Sequence, residues 1–102
     1  MSDPTAENLI KIKQLRDEAK FEEALDLIHN LEDSGTISIE SNLDCQILKG
    51  EIFCWLGRYS KTLEICEQAY QESQRIGTDI QSFDILIFKL LALIGLKDTD
   101  KL

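Results

Sequence analysis

Apolar residues return along this chain at steps of three and four, the period of one face of an α-helix. Leu9, Ile12, Leu15 and Ala19 mark a first helix, with Lys11, Lys13, Gln14, Asp17 and Glu18 on its other faces. Asp3-Pro4 opens it, a capping residue followed by proline at the first helical position. Phe21, Ala24, Leu25, Ile28 and Leu31 mark a second, with Glu22, Glu23, Asp26 and His29 outside. It stops at Ser34-Gly35, where glycine accepts the left-handed conformation that ends helices. Ser38 or Ser41 caps a third helix carrying Leu43, Ile47, Leu48, Ile52, Phe53 and Leu56, which breaks at Gly57-Arg58-Tyr59. Leu63, Cys66, Ala69 and Tyr70 belong to a fourth, closed by Gly77. Thr78 or Asp79 caps a fifth that runs to about Leu96. No segment alternates in the manner of a strand, so the expected fold is all-α, with five helices folded back antiparallel across short turns.

Five such helices form either a bundle or a solenoid, and only a solenoid repeats its own sequence at a fixed period. Ala19-Lys20-Phe21-Glu22-Glu23-Ala24-Leu25 aligns without gaps on Gly57-Arg58-Tyr59-Ser60-Lys61-Thr62-Leu63, at an offset of 38 residues. A second shift of 38 lands on Gly95-Leu96-Lys97. The inner positions follow the same register: Leu9, Ile47 and Ile85; Ile10, Leu48 and Leu86; Leu15, Phe53 and Leu91. A small residue at each turn lets two helices approach, and the aromatic two places later fills the gap between them. The expected organisation is one domain over residues 1–102, with repeats at about 3–37 and 38–77 and a half repeat at 78–97.

These residues resemble the tetratricopeptide repeat family, in a long variant with a period of about 38 in place of roughly 34. Gly50, Phe53, Gly57, Tyr59 and Ala69 match its signature in the second repeat, and Ala19, Phe21 and Ala24 in the first. Gln46 stands where the family has Trp, Thr62 replaces an alanine, and no proline ends either repeat. The resemblance implies a solenoid of antiparallel helical hairpins whose first helices line a concave face that binds a protein or peptide. Carried over residue by residue, that groove comprises Leu9, Lys13, Arg16 and Asp17, then Ile47, Glu51, Cys54 and Trp55, then Ile85, Lys89, Ala92 and Leu93. Trp is the residue most enriched at binding hot spots, although Phe53 and Leu56 beside Trp55 are expected in the core. The family's clamp for peptide carboxylates needs paired Lys/Arg and Asn along this face, where only Lys13, Arg16 and Lys89 are available and no Asn accompanies them. That activity is not expected.

Charge narrows the partners. With 11 Lys+Arg against 19 Asp+Glu the net charge is −8, which opposes binding to nucleic-acid phosphates or anionic lipid. No Gly-rich phosphate loop, HExxH motif or serine elbow occurs, so neither an enzyme nor a cofactor is expected. Cys45, Cys54 and Cys66 form no CxxC pair, and the single His29 completes no zinc spacing with them. They read as small apolar residues in a reducing compartment, and the N-terminus has no signal-peptide pattern, so the expected setting is the cytoplasm. His29, among Asp26, Asn30, Glu32 and Asp33, reads as a solvated surface residue.

The fifth helix departs from the rest. Twelve of seventeen residues from Ile80 to Leu96 are apolar, and Lys89 is the only charge between Ile85 and Leu96. A helix that is apolar on nearly every face is buried on more than one side. Two expectations follow: a homodimer through residues 80–96, with Ile85, Phe88, Leu90, Leu91, Leu93 and Ile94 at the contact, or a fragment of a longer repeat protein whose next helix covers it. The functional expectation is a non-enzymatic protein-interaction module. Its alternative is a sensory domain whose groove ligand controls an effector outside this chain.

Overall fold

Each amphipathic stretch forms the helix that its spacing predicts. The computed structural model describes residues 4–35, 37–76 and 79–100, and among these all regular structure is helical, with no strand. The order is α1 (Pro4–Asp17), α2 (Phe21–Ser34), α3 (Ile39–Trp55), α4 (Tyr59–Ile76) and α5 (Asp79–Asp100). Of the two serines able to cap α3, Ser38 does so: its Oγ accepts the Ser41 N–H at 3.1 Å. Gly35 ends α2 in the left-handed region, at φ 68°. The expected cap at Asp3 and the expected boundary residues Gly77 and Thr78 lie outside the described residues. Helix α5 passes through Gly95 and Leu96 and continues to Asp100.

The turns repeat in detail. Glu18 N donates to Gln14 O at 3.0 Å, Ala19 N to Arg16 O at 3.0 Å, Lys20 N to Leu15 O at 2.8 Å and Ala24 N to Lys20 O at 3.0 Å. Moved on by 38 residues, the same four bonds join Leu56 to Ile52 at 3.0 Å, Gly57 to Cys54 at 3.1 Å, Arg58 to Phe53 at 2.9 Å and Thr62 to Arg58 at 3.1 Å. The pair from the left-handed residue and its successor is a Schellman closure, which satisfies the last carbonyls of the outgoing helix. The left-handed residue is Ala19 (φ 60°) in one turn and Gly57 (φ 77°) in the other.

The contacts divide the chain into two units, Met1–Cys45 and Gln46–Leu102. In the first, α1 packs on α2. Its buried apolar side chains are Ile12 from α1, Ala24, Ile28 and Leu31 from α2, and Leu43 and Cys45 from the start of α3. In the second, α4 packs on α5, and Leu48, Ile52, Ile65, Cys66, Ala69, Ile85 and Ala92 are buried. The end of α3 is tied to α4 by Thr62, fully buried, whose Oγ1 donates to the Gly50 carbonyl at 3.0 Å. A hydroxyl therefore occupies the position where the sequence pattern led one to look for alanine, and its hydrogen bond offsets the cost of burying it.

A chain of hydrogen bonds pins α4 to α5. Ser73 Oγ donates to the Tyr70 carbonyl at 2.8 Å, which uses its only proton. The 2.6 Å contact between Ser73 Oγ and Ser82 Oγ is then donated by Ser82, whose oxygen in turn accepts Gln74 Nε2 at 3.1 Å. At the other end of the same pair Gly95 lies against the Tyr59 ring, so closely that a Cβ built there would fall 2.5 Å from the ring. Small residues on α5 thus set the distance between the two helices.

Candidate interaction surface

Helix α5 has two opposite faces. Ser82, Ile85, Lys89 and Ala92 follow one another at steps of three and four and turn towards α4: Ile85 is 1% exposed and Ala92 0%. Lys89 Nζ sits 3.6 Å from Glu67 Oε2 on α4. The other face carries Ile80, Phe83, Leu86, Ile87, Leu90, Leu91, Leu93 and Ile94, eight large apolar side chains each between 40% and 80% exposed. Exposed contiguous apolar surface on this scale marks a contact site more often than a solvent-facing helix does.

Among the residues expected at a self-association contact, Leu90, Leu91, Leu93 and Ile94 are exposed and Phe88 is half-buried. Ile85 is not at the surface: it is enclosed in the unit beside Ala92, because the small side chains at Ser82, Ala92 and Gly95 bring that edge of α5 onto α4. Ile80, Phe83, Leu86 and Ile87 belong to the exposed face and were missing from that expectation. The stripe of small and polar residues at 82, 89, 92 and 95 is the sequence signal that could have located the inward side, and the exposed face lies opposite it.

On α3, Ile47, Glu51, Cys54 and Trp55 share one face by their i, i+4, i+7 and i+8 spacing. Ile47, Glu51 and Cys54 are half-buried, whereas Trp55 is 64% exposed and its Nε1 donates to Glu51 Oε2 at 3.1 Å. The indole is therefore outside the core, held across one helical turn by a carboxylate. Leu56, expected in the core beside it, is 40% exposed, because it precedes the left-handed Gly57 in the turn and is carried outward with it.

The thiols near this face are weak nucleophiles. Burial raises the Cys54 thiol, and the Glu51 carboxylate raises it further. Cys66 is pushed up to about 11, chiefly by burial and then by Cys54, with Lys89 pulling the other way. Cys45, Cys54 and Cys66 are thiols outside any disulfide.

In the first unit Leu9 and Arg16 are half-buried, and Lys13 and Asp17 are exposed. Arg16 Nε pairs with its neighbour Asp17 Oδ1 at 3.1 Å. A surface depression of about 280 Å³ between Lys11, Leu15, Glu23, Asp26, Leu27 and Asn30 includes none of these four. His29 stands in solvent, 3.2 Å from Asp33 Oδ2 one turn on.

Among the described residues no group of three His, Cys, Asp or Glu is placed to hold a metal ion, and no helix is long and apolar enough to cross a membrane. No family model, curated protein or solved structure matches the chain.

Proposed function

We propose that this chain is a non-enzymatic protein–protein interaction module of tetratricopeptide-like construction, which associates with itself through α5. The observation that carries this reading is the outer face of α5, with eight large apolar side chains open to solvent on one helix. Fully burying such a side chain gains about 1.5–3 kcal/mol, and side chains that stand 40% to 80% exposed leave a large part of that gain for a partner that covers them. The hairpin turns that recur at an offset of 38 support the repeat character of the fold. The α3 face around Trp55 is the place for a protein or peptide ligand, since an exposed indole on a helix supplies rigid apolar area at little entropic cost. Cysteines outside any disulfide suit a reducing compartment such as the cytoplasm.

Sedimentation velocity at micromolar concentration tests the reading. The parent chain is expected to sediment as a dimer, and Leu90→Asp as a monomer with the helical circular dichroism of the parent. A parent that stays monomeric, or a Leu90→Asp chain that stays dimeric, overturns self-association through α5.

A further inference from the structure

The exposed side of α5 is ordered more finely than its hydrophobicity requires. Ile80, Phe83, Ile87, Leu90 and Ile94 follow one another at steps of three, four, three and four, the seam of a helix that packs along another helix. From this seam and the charges at its ends we infer that two copies of the chain join by antiparallel, two-fold pairing of α5 with α5. The inference rests on the self-association proposed above and adds its geometry.

Area is the first argument for a second copy. The eight exposed apolar side chains of α5 present on the order of 800 Å² per chain, the amount each partner contributes to a standard stable interface. A face that meets itself needs no further element to be covered, because a two-fold contact uses the same patch on both subunits.

Charge sets the direction. Between Asp84 and Lys97 the only charged residue of α5 is Lys89, and it turns away from the seam to Glu67. Charge otherwise lies towards the ends: Asp79 and Asp84 near the start of α5, and Lys97, Asp98 and Asp100 near its end, with Lys97 in register with the seam. Parallel pairing would set Lys97 against Lys97 and Asp84 against Asp84. Antiparallel pairing moves the acidic starts of the two helices apart, sets each beside the partner's Lys97 and Asp98, which together carry no net charge, and opposes the two helix dipoles. The symmetric register places Ile87 opposite the partner's Leu90, Phe83 opposite the partner's Ile94 and Ile80 opposite the partner's Lys97. Lys89 then stays outside the contact, and Asp84 lies beside the seam between Phe83 and Ile87.

Oxidative cross-linking reads this geometry directly, in a Cys54→Ser background so that no half-exposed native thiol competes. Phe83→Cys chains mixed with Ile94→Cys chains are expected to join in a covalent heterodimer on oxidation, and either chain alone to stay at the monomer mass. Ile80→Cys chains are expected to stay at the monomer mass, because antiparallel pairing holds the two thiols about 25 Å apart along the helices. Covalent dimer from Ile80→Cys or from Phe83→Cys alone, with no cross-link between Phe83→Cys and Ile94→Cys chains, establishes parallel pairing and overturns the inference while self-association stands. A parent that sediments as a monomer overturns both and gives the face to a different partner.

Discussion

The turn between α1 and α2 and the turn between α3 and α4 are closed by the same four backbone hydrogen bonds, yet the left-handed residue is alanine in one and glycine in the other. The hydrogen bonds set the shape of the turn, and the residue at its centre sets the strain in it. For an L-residue with a Cβ the left-handed region costs roughly 1–2 kcal/mol, so the first turn carries strain that the second avoids. The third residue of this series, Gly95, separates the two roles of a small residue. It lies inside α5 with ordinary helical backbone, and what its position requires is space against the Tyr59 ring. One column of small residues in the sequence thus holds two physical requirements, left-handed backbone at 19 and 57 and close helix approach at 95.

Substitutions at the three positions can break this comparison. The largest effect is expected at Gly95→Val, where overpacking against Tyr59 destabilises by roughly 2–3 kcal/mol. Urea denaturation measures the loss, and adding Tyr59→Ala should recover part of it if the ring is the obstacle. Gly57→Ala comes next, with a loss of about 1–2 kcal/mol from left-handed strain alone, and here Tyr59→Ala should recover nothing. The smallest effect has the opposite sign: Ala19→Gly should stabilise by up to about 1 kcal/mol, read as a higher urea midpoint with unchanged slope. If Ala19→Gly destabilised instead, the loss of helix-favouring alanine would outweigh the relief of strain, and the two turns would not be equivalent.

The legible part of the fold is the part made by local chemistry. The boundaries of α2 and α3 followed from Gly35 and Ser38, and the 38-residue offset seen in the sequence reappears as matching hydrogen bonds at Ala19 and Gly57. These features depend on residues within one or two turns of each other. The orientation of α5 was not legible in the same way. A helix that is apolar on nearly every face has no periodic contrast to say which side meets its neighbour, and so Ile85 was expected outside while Ile80, Phe83 and Ile87 went unnoticed. Leu56 failed for a related reason: its spacing matched a helical stripe, but the stripe ends one residue before the chain turns left-handed.

Sequence alone established an all-α chain of five helices, the cap of α3 at Ser38, the stop of α2 at Gly35, a repeated hairpin turn and a fifth helix rich in apolar residues. Packing decided the rest. Ser82, Ala92 and Gly95 are small enough for α5 to settle on Ser73 and Tyr59 of α4, and that choice sends Ile80, Phe83, Ile87, Leu90 and Ile94 outward. Likewise Trp55 is exposed because α3 presents that side to solvent, with Glu51 holding the indole. Hydrophobicity counts how many side chains seek burial; only the fit of small residues against a neighbouring helix determines which of them obtain it.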